Sequence, residues 1–188
     1  SSYANDAPPF REDSPADRPL QPYAASKRAC ELLIHSHCHL HGLDAYCTRF
    51  FSAYGPRMRP DLAMHKFALA IRCGEELPLF GDGTALRDYT YIDDIVDGVL
   101  ASLDRARGYE IINLGAGDTT PLHRVIALLE DRLGAKATIK RLPANPSDAD
   151  VTLADITKAR RLLDYSPEVS IEDGITRFVE WFTASATP

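Results

Sequence analysis

An α/β fold is the class that this sequence predicts, and two observations near its start carry the prediction. Residues 23–42 are rich in Ala, Lys and Leu, follow Pro22 and end at Gly42, as expected of a helix. Residues 44–51 then have the composition of a buried strand. A helix joined to a strand by a short connection is typical of α/β proteins. The chain of 188 residues has room for one domain, or for one domain with an appendage.

The elements on either side continue this alternation. Residues 3–22 contain five prolines and no hydrophobic period, which predicts a long loop before the first helix. Further helices are predicted over 61–73, from Asp93 or Asp94 to about Leu103, from 119–121 to Gly134, from Asp155 to Leu163 and from Ser170 to about Phe182. Extended segments are predicted over 77–80, 87–91, 111–114 and 136–141.

Some polar side chains have a structural interpretation. Ser170 and Asp173 have the spacing of a capping box at the start of the last helix. Asp93, Asp94 and Asp97 are expected to cap and solvate the N-terminus of the helix that runs to about Leu103.

Charge and hydropathy argue against several classes of partner. Lys plus Arg is 21 and Asp plus Glu is 27, and a net charge of −6 is unsuited to nucleic acid or an anionic membrane. No apolar run approaches the roughly 18 residues of a membrane-spanning helix, and the polar, proline-rich start is unlike a signal peptide. The four cysteines form no CxxC pair, which predicts reduced, buried thiols in a cytoplasmic protein. They are Cys30, Cys38, Cys47 and Cys73.

A candidate catalytic pair lies at the start of the first predicted helix. Tyr23 and Lys27 are four residues apart, so a helix places a phenol and an ammonium on one face, one turn apart. A nearby cation stabilises a phenolate, which would make Tyr23 usable as a general base or acid. A chance pair on a solvated helix face is the alternative interpretation of these two residues alone.

Six motifs in a fixed order decide between these interpretations. They lie at 23–27, 49–56, 81–83, 87–94, 113–117 and 154–159. In this order they resemble the extended short-chain dehydrogenase/reductase family, specifically its NAD-dependent nucleotide-sugar epimerases. The resemblance covers essentially all of the chain, as the C-terminal half or slightly more of such an enzyme.

The resemblance implies a domain organisation. Residues 1–56 would be the C-terminal part of a Rossmann-type doubly wound sheet with the Tyr–Lys helix. Residues 57–188 would mainly form a small α/β subdomain that binds the sugar nucleotide, with segments near 88–115 returning to the Rossmann part. The sequence contains neither GxxGxxG nor GxGxxG, so the cofactor-binding strands are expected outside this chain, and the chain alone is expected to lack epimerase activity. A homodimer is implied for the full-length enzyme.

The resemblance also implies a reaction, the inversion of C4 in a UDP-hexose of the glucose and galactose type. Tyr23 would take the proton of the 4-hydroxyl while C4 gives a hydride to NAD, and the transient 4-keto sugar would be reduced on its other face. Lys27 would hold the nicotinamide ribose and tune Tyr23, and Tyr23 and Phe50 would also contact the cofactor.

The resemblance places substrate-binding roles at five positions. Ser52 would contact the sugar, and Phe80 would line the uracil. Arg87 would grip the diphosphate, since a guanidinium can contact two phosphate oxygens. Asp148 would bind the ribose. Arg59 lies in a segment that UDP-glucuronate 4-epimerases share, where this Arg can meet the sugar carboxylate, and similar segments also occur in UDP-glucose 4-epimerases.

Alternatives to the UDP-glucose type therefore stay open. UDP-glucuronate is the first rival substrate, and a small residue at Thr152 should admit sugar substituents larger than a hydroxyl. A non-catalytic chain that binds nucleotide sugars without NAD is a second alternative, and a scaffold without ligands is a third. A sugar dehydratase is disfavoured, because Ser1 occupies the place of the Glu in the dehydratase Asp-Glu pair.

Overall fold

The alternation of helices and strands is confirmed in the computed structural model, which describes residues 3, 7–14, 16–19, 21–143 and 149–185. Within these ranges the helices are α1 (Pro22–His41), α2 (Ala63–Cys73), α3 (Ile92–Arg105), α4 (Leu122–Leu133), α5 (Thr157–Leu163) and α6 (Ile171–Ser185). The strands are β1 (Ala45–Phe50), β2 (Ser52–Tyr54), β3 (Glu76–Phe80), β4 (Leu86–Arg87), β5 (Tyr89–Tyr91), β6 (Tyr109–Leu114), β7 (Thr120–Pro121), β8 (Thr138–Leu142) and β9 (Val151–Thr152).

Parallel pairing dominates the strands, as an α/β fold requires. β1 pairs with β6 over six residues, β2 with β5, and β3 with β8, each in parallel. β4 lies between β9, which is parallel to it, and β7, which is antiparallel. The predicted strand over 87–91 is divided at Asp88, so its two halves join different neighbours.

Two hydrophobic clusters hold these elements together. One cluster lies between α2, α4, α6 and β3, and Phe178, Leu77 and Ile71 are at its centre. The other joins β6 to α3 and α5 through residues such as Leu114 and Ile95. The first cluster comes mainly from residues 54–91 and 122–182, and the second mainly from β6 and its covering helices.

Helix α1 packs against β1 and β6 along one narrow face. Its start has Pro22 in the first turn, and Gly42 ends it in the left-handed conformation with φ of 63°. Ala24 and Glu31 are its buried residues. Its outward faces carry exposed Leu32 and Leu33.

Some predictions of burial were wrong. Asp94 does not cap and solvate α3, because its carboxylate is buried and accepts the backbone N–H groups of Glu168 and Val169 at 3.1 and 3.3 Å. Cys30 and Cys73 are exposed rather than buried, since they lie on outward faces of α1 and α2. Within the described residues, no helix has both the length and the apolar character needed to cross a bilayer.

The N-cap bond of the predicted capping box before α6 is confirmed, and the two side chains also bond to each other. The backbone N–H of Asp173 donates to Ser170 Oγ at 3.1 Å, and Ser170 Oγ donates to Asp173 Oδ2 at 2.8 Å. This satisfies a backbone N–H that the first helical turn leaves without a partner.

Removal of this cap should lower stability without changing the fold. Ser170→Ala is expected to reduce the free energy of unfolding by about 1 kcal/mol. Urea denaturation followed by circular dichroism measures the change, and Ser166→Ala, at an exposed loop serine, should leave stability within about 0.5 kcal/mol of the parent. Equal stability of the two variants would show that the cap contributes nothing.

Candidate functional site

A cavity of about 630 Å³ lies between α1 and the β1–β2 segment. Tyr23 and Lys27 of α1 line one wall, and Phe50 and Ser52 line the opposite one. Thr152 of β9 also contributes to the lining. The structure therefore brings together both members of the predicted catalytic pair, the predicted cofactor residue Phe50 and the predicted sugar contact Ser52.

The tyrosine and lysine lie side by side at the mouth of this cavity. Lys27 Nζ is 5.4 Å from the centroid of the Tyr23 ring, as expected for positions one helical turn apart. The Tyr23 side chain is 67% exposed, so its hydroxyl is accessible to a ligand. Ser26 Oγ donates to the backbone carbonyl of Tyr23 at 2.8 Å, within the same helical turn.

A buried ion pair fixes the helix that carries this pair. Arg49 of β1 donates to both carboxylate oxygens of Glu31, at 2.7 and 2.8 Å. Arg28 adds a third contact to Glu31 at 3.0 Å. Burial raises the pKa of the Glu31 carboxyl, but hydrogen bonds and charge from Arg49 and Arg28 outweigh it, so the pKa lies below its usual value. Glu31 is therefore ionised, and it binds α1 to β1 one turn after Lys27.

Aromatic rings form the floor of the cavity. Tyr3, Phe10 and Phe51 stack with centroid separations of 5.1 to 6.5 Å, and the Arg49 guanidinium lies 4.6 Å over the Tyr3 ring. The Tyr3 hydroxyl donates to Asn113 Oδ1 at 2.6 Å. Burial raises the pKa of Tyr3 to about 12, so this phenol stays protonated and structural near neutral pH.

The two Arg residues predicted to contact the substrate lie outside this cavity. Arg87 is half-buried on β4, and its Nη1 donates to the backbone carbonyls of Leu86 at 3.0 Å and Asp150 at 3.4 Å. Arg59 is in an exposed loop, paired with Asp61 at 3.2 Å, and its side chain is 73% exposed. The cavity lining includes neither of them.

The structure describes only one of the remaining two predicted substrate residues. Phe80 ends β3 with its ring exposed and does not line the cavity. Asp148 lies outside the residues that the structure describes.

Three important side chains were missed in the sequence. Two of them are Glu31 and Arg49, which form the buried ion pair. The third is Asp88, a buried carboxylate between β4 and β5. The position of Glu31, four residues after Lys27, was an available signal for a further residue on that helix face. Asp88 carried no such signal, because a polar residue in an alternating strand is expected to face solvent.

Known proteins resemble this chain in sequence and in fold. The model of the NAD dependent epimerase/dehydratase family matches residues 1–115. The chain belongs to this family. Among the relatives, a UDP-glucuronate 4-epimerase of Thermodesulfobacterium geofontis is 47% identical over 182 residues, which are 96% of this chain and 56% of the relative.

Solved structures of this NAD-dependent family have the same fold. The UDP-glucuronic acid 4-epimerase of Bacillus cereus, in complex with UDP-glucuronic acid and NAD, has a TM-score of 0.90 at 34% identity, over 98% of this chain and 60% of that one. The UDP-glucose 4-epimerase of Thermotoga maritima, with UDP-glucose, has a TM-score of 0.85 at 30% identity, over 90% of this chain and 56% of that one. The chain thus spans a little over half the length of the relatives that it matches.

The cavity has features that fit the nicotinamide and ribose end of NAD. Tyr23 and Lys27 offer a hydroxyl and an ammonium, and Phe50 offers an exposed ring. Thr152 Oγ1 is buried in the lining and has no hydrogen-bond partner among the described residues, so the wall retains hydrogen-bonding capacity for a polar ligand. The sequence has no glycine-rich motif for the diphosphate of a dinucleotide.

The ion pair between Glu31 and Arg49 should be a large contributor to stability. Glu31→Gln leaves the buried Arg49 charge without its counter-ion, so we expect a loss of about 3 kcal/mol in the free energy of unfolding. Chemical denaturation measures it. Glu172→Gln, in the exposed pair between Arg124 and Glu172, is the matched control and should cost below about 1 kcal/mol.

The same variant should change the response to acid. A carboxyl with a lowered pKa contributes stability above its unfolded-state value of about 4.5, and this contribution is lost as the pH falls through the lower folded-state value. The Glu31→Gln protein should therefore lose less stability below about pH 4.5 than the parent does. Parallel pH profiles for the two proteins would contradict the role given to the ion pair.

Proposed function

We propose that this chain carries the catalytic residues and the sugar-nucleotide site of a nucleotide-sugar 4-epimerase. The observation that supports it best is that Tyr23 and Lys27 open onto the same cavity as Ser52 and Thr152. The base of an epimerase must lie within hydrogen-bond reach of the hydroxyl that it deprotonates. A sugar ring bound in this cavity against Ser52 and Thr152 would face Tyr23.

The roles of the two helix residues follow from their chemistry. Tyr23 Oη accepts the proton of the C4 hydroxyl and later returns it, and its exposure gives it access to the sugar. Lys27 holds positive charge beside the Tyr23 ring, which favours the phenolate during the transfer. The chemistry that NAD would supply when bound is reversible hydride transfer at C4. Lys27 and Phe50 are the residues of this chain that would hold its nicotinamide ribose.

The nucleotide is proposed to lie toward the second part of the chain. Arg87 would bind the diphosphate, because a half-buried guanidinium is pre-organised for two phosphate oxygens. The exposed ring of Phe80 would contact the uracil, and Asp148 would bind the ribose.

The proposed division of the chain is a Rossmann part over 1–56 and a subdomain over 57–188, with 88–115 returning to the Rossmann part. The second hydrophobic cluster supports a return of 88–115, since Ile112 and Leu114 lie in it, and it also contains Leu163, so α5 packs with that part.

UDP-glucuronate is the substrate that we favour over UDP-glucose and UDP-galactose. Three of the relatives with high identity or a close structure are named as UDP-glucuronate or UDP-glucuronic acid 4-epimerases. Arg59 supports this choice, because its side chain is 73% exposed and its guanidinium is therefore accessible to a sugar carboxylate. UDP-glucose stays the second candidate because the Thermotoga maritima UDP-glucose 4-epimerase has a TM-score of 0.85.

Assembly into a homodimer is also part of the proposal. Leu32, Leu33 and Leu40 are exposed along α1, and an apolar helix face of this kind is suited to packing against another helix.

Activity is best tested in a chimera in which this chain follows the N-terminal part of a relative. We expect the N-terminal part of the Thermodesulfobacterium geofontis relative, joined to this chain, to epimerise UDP-glucuronate in the presence of NAD. Tyr23→Phe should lower kcat by at least about 100-fold, because it removes the proton acceptor without changing the ring. Chromatography of the two uronate epimers measures the rate.

The control for this test is Tyr46→Phe, which changes a half-buried tyrosine of the same cavity on β1. It should leave kcat within about threefold of the chimera. A Tyr23→Phe chimera with the parental kcat would overturn the role of Tyr23 as the proton acceptor. Turnover by the 188-residue chain alone that depends on Tyr23 would overturn the expectation that this chain needs the N-terminal part of an epimerase for activity.

The substrate preference makes a separate prediction. Arg59→Ala in the chimera should raise KM for UDP-glucuronate roughly tenfold, since an Arg–carboxylate contact is lost, and should leave KM for UDP-glucose unchanged. Arg57→Ala, at the neighbouring exposed arginine, is the matched control. An equal effect on both substrates would remove Arg59 from sugar recognition.

A further inference from the structure

Asp88 is a fully buried carboxylate at which several segments of the chain meet. It is 0% exposed. Its Oδ1 accepts the N–H of Ala116 at 2.7 Å and the hydroxyl of Thr90 at 3.1 Å. Its Oδ2 accepts the N–H of Ala154 at 3.0 Å and that of Gly117 at 3.1 Å. Both oxygens are therefore used as acceptors from β5, from the turn after β6 and from the segment after β9.

The backbone of Asp88 contacts two residues of the cavity. Its N–H donates to the carbonyl of Thr152 at 2.9 Å, and its carbonyl accepts the N–H of Ser52, also at 2.9 Å. Ser52 and Thr152 both line the cavity that Tyr23 and Lys27 face. One residue thus sets the separation between two walls of the proposed sugar site.

The same residue is next to the proposed diphosphate ligand. Arg87 directly precedes Asp88, and Arg87 Nη1 donates to the carbonyl of Asp150 in the segment that leads into β9. The N–H of Leu86 also donates to Asp150, at 2.8 Å. Asp88 also hydrogen-bonds to Thr152 and Ala154, at the C-terminal end of the segment that begins at Asp150. These bonds therefore restrain the backbone that Arg87 contacts.

Close packing makes this junction rigid. A Cβ placed on Gly115 would lie 2.5 Å from the Ala154 Cβ and 2.8 Å from Asp88 Oδ2. No side chain other than hydrogen fits there while the carboxylate keeps its bonds. Burial raises the pKa of the Asp88 carboxyl, and the hydrogen bonds from the three backbone N–H groups and Thr90 act against that shift.

We propose that Asp88 is a positioning residue for the nucleotide-sugar site, joining the sugar walls at Ser52 and Thr152 to the diphosphate ligand Arg87. This inference rests on the proposed function. An asparagine cannot replace the carboxylate, because its NH₂ group would face N–H donors on one side. Loss of the junction should loosen Arg87 and so weaken binding of the second phosphate in particular.

Asp94 provides an internal control of the same kind. It is also a buried aspartate that accepts two backbone N–H groups, those of Glu168 and Val169. Its contacts join α3 to the segment before α6, and it does not line the cavity. A substitution there tests the effect of losing a buried carboxylate without touching the proposed site.

The experiment measures binding of UDP and of UMP to the purified 188-residue chain by isothermal titration calorimetry. The parent should bind UDP roughly tenfold more tightly than UMP, because UDP has a second phosphate for Arg87. Asp88→Asn should weaken UDP binding at least about tenfold and reduce the ratio of UDP to UMP affinity below about three. Asp94→Asn should lower the unfolding temperature while it keeps the parental ratio.

A milder variant protects the test against misfolding. Thr90→Val removes one hydrogen bond to Asp88 Oδ1 with little change in volume, and it should reduce the ratio of UDP to UMP affinity by a smaller factor. Circular dichroism and thermal unfolding confirm which variants are folded. If Asp88→Asn does not fold, Thr90→Val decides the question.

The binding data distinguish a failure of the positioning role of Asp88 from a failure of the proposed nucleotide-sugar site. A parent chain that binds neither UDP nor UMP overturns the proposed function and the inference with it. A parent that prefers UDP, with folded Asp88 and Thr90 variants that keep that preference, overturns the inference alone. An equal loss of the preference in Asp94→Asn also overturns it, since the effect would then be general loosening.

Discussion

The ion pair between Glu31 and Arg49 is the contact on which the position of Tyr23 and Lys27 depends. Helix α1 has few buried residues, so packing alone holds it weakly. Two hydrogen bonds of 2.7 and 2.8 Å from one guanidinium fix its distance and rotation relative to β1. The geometry of this pair therefore determines where Tyr23 and Lys27 lie over the cavity.

Asp88 contacts Ser52 and Thr152, which line the same cavity as Tyr23 and Lys27. Arg49 connects a helix to a strand, whereas Asp88 connects strands and turns to one another through four hydrogen bonds. Both are buried charged groups held by hydrogen bonds, two from Arg49 to Glu31 and four to the Asp88 carboxylate, and these offset part of the cost of removing charge from water.

Local features of this fold could be predicted from the sequence, and long-range ones could not. The spacing of Tyr23 and Lys27 and the capping box at Ser170 depend on neighbouring residues, so their geometry follows from helix periodicity. The contacts of Asp88 reach partners up to 66 residues away, and those of Asp94 reach 75. No local pattern contains such pairs, and both aspartates would be expected to face solvent. Exposure of Cys30 and Arg59 likewise depends on tertiary packing rather than on residue type.

The most direct test of the central claim is a crystal structure of this chain with UDP-glucuronate bound. The claim is that the Tyr–Lys pair and the nucleotide-sugar residues serve one ligand. We expect the C4 hydroxyl at about 2.7 Å from Tyr23 Oη, a typical hydroxyl hydrogen bond, with the diphosphate on the Arg87 guanidinium. A diphosphate bound away from Arg87, with the sugar outside the cavity that Tyr23 faces, would contradict the account.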